Sequence, residues 1–274
     1  MGDRGREQCQ GEGRDREEAH SPAHPHTIGT MPVTADPFVA LGRDAAKVGL
    51  RLTAAQLGQC ERYAAELIER NKTVNLTAIT EPRDVALKHF LDSFTVYAAR
   101  RWTGSERLVD VGSGAGFPGL ALRIALPGLR VTCVESVGKK ARFIEEVRAL
   151  LALSGVDVAN ARSEELARDG AYRARYDVAT ARALGSLARC VEYLLPFLRV
   201  GGEAVVWKGR IDAELPAAER ALASIGGSVV SIVPTASLGV GGELPGRSLV
   251  VVRKTRATPE RYPRAAADMK RRPW

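Results

Sequence analysis

Cysteine is scarce: Cys9, Cys60, Cys133 and Cys190 are widely spaced with no C-x-x-C pair, so neither a zinc site nor a disulfide framework is suggested. That pattern excludes the common zinc modules and fits a reducing compartment, so a cytoplasmic location without a bound metal is expected. Long apolar runs are missing too. No stretch approaches the roughly 20 residues a membrane helix needs, and the N-terminus, alternating acids with arginines, lacks the apolar core of a secretory signal. Histidine is scarce at four residues. Three of them, His20, His24 and His26, fall in a polar stretch without partner ligands and read as part of a tail.

The 274 residues, 45% hydrophobic and 26% charged, suffice for one sizeable core with small appendages. Residues 1–35 hold almost no large apolar side chains and are expected to be disordered, with Met31 as an alternative start. Residues 36–105 form a small helical unit. Within it Thr53-Ala54-Ala55-Gln56 has capping-box form, followed by Leu57, Tyr63, Ala64, Leu67 and Ile68 at helical spacing. A second helix is predicted from Pro82 to Arg100. Residues 106–255 alternate strands and helices, with strands near 108–111, 130–135, 156–160, 176–180, 203–208, 228–233 and 248–253. Long helices between the early strands imply parallel crossovers, and the last two strands a hairpin. The predicted fold class is α/β, a Rossmann-like seven-stranded sheet.

The most informative segment is Leu108-Val109-Asp110-Val111-Gly112-Ser113-Gly114-Ala115-Gly116-Phe117-Pro118-Gly119, an apolar strand running through an acid into a glycine loop that opens a helix. Such a loop brings backbone N–H groups and a helix N-terminus against a ligand. Gly114, Gly116 and Gly119 spell the dinucleotide pattern G-x-G-x-x-G, but three residues beyond the strand end. Counted from Asp110, the pattern D-x-G-x-G-x-G resembles motif I of class I S-adenosylmethionine-dependent methyltransferases, where the acid sits beside the cofactor's amino group. A second strand ends at Glu135, a position suited to two ribose hydroxyls in either register.

In open α/β sheets ligands bind beyond the carboxyl ends of the strands. After the third strand stand Ser163 and Glu164, a backbone N–H and a carboxylate able to read an adenine edge, with Ser163 equally suited to cap a helix. Arg182 follows the fourth strand and Lys208 the fifth. The fourth position carries no N/D-P-P-Y/F motif for amino-group methylation and no cysteine nucleophile for pyrimidine C5. A site without an obvious base favours a nucleophile with an available lone pair, such as guanine N7, for which alignment and electrostatics suffice.

Several segments occur in one family's order: Asn71–Ile79 (NKTVNLTAI), His89–Ser93 (HFLDS), Asp110–Gly119, Glu135–Phe143 (ESVGKKARF) and Thr180–Ala183 (TARA). They resemble the RsmG family, also called GidB, of 16S ribosomal RNA guanine-N7 methyltransferases, over roughly residues 50–264. Ala181 stands where that family usually has serine. The resemblance implies S-adenosyl-L-methionine as cofactor, a guanine in the 530 loop of 16S rRNA as target, and the small ribosomal subunit as partner. By position it assigns cofactor contacts to Gly112, Phe117, Ser163, Glu164 and Arg182; Asp110, Gly114 and Glu135 join them from the loop and ribose arguments. His89, Asp92 and Asn75 match family positions, although capping and core hydrogen bonding explain them nearly as well. A methyltransferase acting elsewhere and a non-catalytic nucleotide- or RNA-binding module remain as alternatives.

The formal net charge is +8, and residues 253–274 hold eight bases against Glu260 and Asp268, a local +6. The tail, 256–274, lies beyond the last strand and is expected to be separable from the sheet. Its Arg261 and Arg264, together with Lys208, are the expected RNA contacts; a solvated terminus fits the composition equally well.

Overall fold

The computed structural model describes residues 36–274. The expected disordered tail, with Cys9 and its three histidines, lies outside the described residues. Helix α1 (Pro37–Lys47) begins where the Asp36 carboxylate accepts the Phe38 amide at 2.7 Å, with a proline in its first turn. Helix α2 (Ala54–Val74) opens with the predicted capping box between Thr53 and Gln56. It ends on Asn75 at φ 60, while the Asn71 side chain accepts the amides of Leu76 and Thr77. Asn75 therefore terminates a helix.

The segment predicted as one helix from Pro82 to Arg100 is divided into α3 (Pro82–Val85), a π-helical turn (Ala86–Leu91), α4 (Asp92–Phe94) and α5 (Val96–Ala99). Apolar spacing specifies a helix but not its pitch. The wide turn is where the Lys88 carbonyl accepts a hydrogen bond from Arg182, far away in sequence.

Seven strands form one sheet: β1 (Arg107–Val111), β2 (Arg130–Val134), β3 (Val156–Ala159), β4 (Tyr176–Arg182), β5 (Leu198–Lys208), β6 (Gly227–Pro234) and β7 (Ser248–Lys254), in the order β3-β2-β1-β4-β5-β7-β6. The first five are mutually parallel, and β7 runs antiparallel to both β5 and β6. Each strand divides its residues between two cores. Leu108, Val178 and Val205 join the helices α1, α2, α6 (Gly119–Ala125) and α7 (Gly138–Leu150), whereas Val109, Ala179, Ala204 and Val206 face α9 (Leu187–Leu194) and α10 (Leu215–Ile225). Two buried faces follow from covering a parallel sheet on both sides, which is why apolar residues stand on both faces of these strands.

The tail is part of this second core, contrary to the expectation that it is separable. Tyr262 and Met269, the latter on α11 (Ala266–Arg271), are buried with α9, and Arg173 donates to the carbonyls of Thr258, Pro259 and Tyr262. Along the sequence, two such side chains among many charges give no signal of packing.

Candidate active site

The glycine loop leaves β1 and turns back at once. Gly112, Gly114 and Gly116 all have positive φ, at 71, 60 and 94°, the backbone region that favours glycine. At Gly116 a Cβ would stand 2.5 Å from the Tyr63 hydroxyl and 2.9 Å from Leu120. The loop's donors are largely spent on the protein itself. Gly112 and Ser113 donate to the Val134 carbonyl, Gly116 and Phe117 to the Ser113 carbonyl, and Gly114 to Glu135 Oε2 at 2.8 Å. The expected row of bare N–H groups is thus replaced by a shaped cradle.

Asp110 does not face the cleft. Its Oδ2 accepts the Gly119 amide at 3.0 Å and its Oδ1 the Thr180 hydroxyl at 2.9 Å, inside the loop at 1% exposure. Burial pushes its carboxyl up to about 6, against the hydrogen bonds from Gly119 and Thr180. The residue expected beside a cofactor's amino group instead holds the loop that forms the site. Glu135, at the end of β2, does border the cleft; its Oε1 accepts the Val137 amide at 2.8 Å.

Two adjoining hollows share Gly112, Ser136 and Leu184. One, of about 340 Å³, brings together Gly114, Phe117, Glu135 and Arg182 with Leu76, His89 and Lys140. The other, of about 100 Å³, is flanked by Val111, Ala161, Ser163, Glu164 and Tyr193. Ser163 is the first residue of α8 (Ser163–Leu166), whose cap is Arg162 without a side-chain hydrogen bond, so the capping reading of Ser163 fails. The sequence reading missed Lys140, Ser136, Leu184 and Tyr193. Lys140 lies in the quoted ESVGKKARF segment, but only the approach of α7 to the loop brings it to the cleft.

Around Arg182 the side chains form a closed network. Its NH1 donates to the Lys88 carbonyl at 2.9 Å and to Asp92 Oδ2 at 3.0 Å. Its NH2 lies 3.0 Å from His89 Nδ1. Arginine only donates, so Nδ1 is the acceptor and the proton sits on Nε2, which donates to Thr77 Oγ1 at 3.0 Å. Burial, with Arg182 and Arg247 near, lowers the His89 pKa to about 3. The neutral ring stacks on Phe117 at 4.7 Å, and Phe117 in turn on Tyr63 at 4.7 Å. Arg182 completes the wall with its guanidinium 5.7 Å from the Phe117 ring.

Two of the expected RNA contacts are committed elsewhere. Lys208 Nζ bonds the Gly185 carbonyl at 2.9 Å and Glu214 at 2.8 Å, leaving its side chain 11% exposed. Arg264 grips both oxygens of the buried Glu192 at 2.8 and 2.7 Å and also donates to the Arg272 carbonyl. A charge counted along a sequence does not reveal that its partner stands on α9 or at the start of α10. Arg261 is exposed, lying over the Tyr262 ring.

A parallel sheet extended by an antiparallel β7, with a glycine loop after β1 and an acid after β2, is the architecture of a class I S-adenosylmethionine-dependent methyltransferase. A family model named GidB, rRNA small subunit methyltransferase G, matches residues 56–243. The chain is 47% identical over 236 residues to the ribosomal RNA small subunit methyltransferase G of Roseiflexus castenholzii, covering 84% of this chain and 97% of that one. The protein of the same name from Leuconostoc citreum is 41% identical over 247 residues, covering 88% and 99%. That from Dehalococcoides mccartyi is 43% identical over 224 residues, covering 80% and 92%. The chain belongs to the GidB family of rRNA small subunit methyltransferases, whose cofactor is S-adenosylmethionine.

Proposed function

We propose that this protein methylates N7 of a guanine in the 530 loop of 16S rRNA, in the cytoplasm. The observation that carries the choice of atom is the state of His89 and Glu135, which line the larger hollow. His89 is neutral and bonded at both nitrogens, and both Glu135 oxygens accept amides. Tyr63, behind Phe117, donates to the Ala115 carbonyl. No poised general base stands among these groups, and guanine N7 needs none because its lone pair is already available.

The cradle fits the cofactor. The smaller hollow, with Val111, Ala161 and Tyr193, suits a flat adenine, and Ser163 and Glu164 would meet its polar edge. In the larger one, Glu135 would take the ribose, while Arg182 and Lys140 offer cations for the carboxylate of the methionine end. Gly112 and Gly114 would line its path between them, with Phe117 closing one side. Bound S-adenosylmethionine supplies an electrophilic methyl group on a sulfonium. The protein's part is alignment, through a wall that His89, Phe117 and Arg182 keep rigid.

The test is to incubate the protein with 16S rRNA, free and in assembled subunits, and radiolabelled S-adenosylmethionine. Borohydride reduction and aniline treatment then cleave at N7-methylguanine. One cleavage in the 530 loop is expected; label that resists cleavage, on an amino group or a ring carbon, would refute the proposal.

A further inference from the structure

Asp92 is fully buried, yet only one of its oxygens is hydrogen-bonded. Oδ2 takes Arg182, while Oδ1 has no hydrogen-bond partner among the described residues. Buried carboxylate oxygens are rarely left so. The nearest cation is Arg247, whose Nε stands 3.5 Å from Oδ1, and its side chain is 39% exposed. At that separation the attraction is electrostatic, without the geometry of a made hydrogen bond.

Topology puts Arg247 at the cleft. It immediately precedes Ser248, which pairs with Lys208, the last residue of β5. Because β7 is antiparallel, its first residue arrives at the edge where β1, β4 and β5 end. The Arg247 backbone is pinned there, its carbonyl accepting both the amide and the hydroxyl of Thr235, at 2.9 and 3.2 Å. Only the side chain has freedom. Its guanidinium makes no hydrogen bond to another described residue, in contrast to Arg182, Arg264 and Lys208.

We infer that Arg247 is a phosphate-binding residue for the RNA strand entering the cleft, and that Asp92 is the positioning residue that holds its guanidinium there. Asp92 thereby ties the arginine of the cofactor hollow to an arginine reaching outward. A guanidinium fork held at one edge leaves its remaining N–H donors for a phosphate oxygen pair. The inference rests on the RNA substrate proposed above.

The experiment measures binding of deproteinised 16S rRNA by wild type, Arg247→Gln and Arg247→Lys across a salt series. S-adenosylhomocysteine affinity and melting temperature are measured on the same proteins. Expected for Arg247→Gln are weaker RNA binding and a log–log salt slope flatter by about 0.7 to 0.9, with cofactor affinity unchanged; Arg247→Lys restores the slope. An unchanged slope in Arg247→Gln overturns the inference. So does a loss of melting temperature and cofactor affinity, which would make Arg247 a mere neutraliser of Asp92. Failure of the wild type itself to bind both this RNA and assembled small subunits would instead overturn the functional reading, and the inference with it.

Discussion

Asp110 and Gly119, nine residues apart at the two ends of the glycine loop, are joined by a hydrogen bond from the Gly119 amide to the Asp110 carboxylate at 3.0 Å. The approach is close enough that a Cβ on Gly119 would meet Oδ2 at 3.0 Å and Cys133 Sγ at 3.1 Å. The acid of motif I and the glycine that opens α6 thus form one clasp. Replacing Asp110 with alanine strands the buried Gly119 amide and frees the Thr180 hydroxyl. We expect a loss of about 2–4 kcal/mol in urea unfolding, near the cost of leaving such groups unpaired. S-adenosylhomocysteine affinity should fall with it in calorimetry. An Asp110→Ala protein of wild-type stability would show that the clasp is dispensable.

Gly114 and Gly116 separate folding from binding. At Gly116 an alanine methyl would collide with Tyr63 and Leu120, at a φ of 94°, whereas at Gly114 the nearest atom would be the Gly112 carbonyl at 4.0 Å. Gly116→Ala should therefore cost about 2 kcal/mol or more, from overpacking plus backbone strain. Gly114→Ala should cost about 1 kcal/mol from backbone strain alone, while weakening cofactor binding through the methyl it adds to the cleft. Equal stabilities of the two variants in denaturant titrations would contradict this.

His89 governs a part of the acid response. Its pKa is about 3 in the folded protein against 6.5 in the ordinary range, so between those values the unfolded chain binds the extra proton and stability falls as pH drops. Asp110, raised to about 6, acts oppositely: the folded state holds its proton more tightly, and stability falls as pH rises from about 4 to 6. The Asp110 contribution is common to wild type and His89→Asn and cancels in their difference. The stability advantage of wild type over His89→Asn at pH 7 should therefore shrink by a few kcal/mol toward pH 4. A difference independent of pH would mean that His89 takes up its proton as readily in the folded protein as in the unfolded chain.

Removing residues 256–274 should destabilise the enzyme. Tyr262 and Met269 leave the second core, each contributing about 1.5–3 kcal/mol of burial, and Glu192 loses its Arg264 and Trp274 partners. Burial raises the Glu192 pKa while those hydrogen bonds hold it below the usual range, and truncation removes every one of them. A clear drop in melting temperature is expected, and one no larger than about 2 °C would show that the tail packs loosely.

Short-range signals were legible without a structure. The capping box at Thr53, the strand positions and the glycine register follow from spacing along one chain, because caps, turns and pleats depend on neighbours a few residues away. Consecutive apolar residues such as Leu108-Val109 in β1 and Val178-Ala179 in β4 likewise announce burial on both faces. Family order along the chain placed Gly112, Phe117, Ser163, Glu164 and Arg182, and the ribose argument placed Glu135; the fold gathers all six around the two adjoining hollows.

Only the tertiary structure decided which charges are spent and which remain available. Lys208 and Arg264 look as exposed in sequence as any base, yet Glu214, where the chain turns into α10, and Glu192, far away on α9, bind them. Asp110 looks like a ligand contact, but the return of the loop to Gly119 encloses it. Arg247 carries no motif and stands at the start of a strand, outside a search limited to strand ends; reversal of β7 brings it to the same edge. Hydrophobic patterning is a local code, set by which face of an element meets the core. The pairing of a charge depends on where its partner lands after folding, and that distance is not written in the spacing of residues.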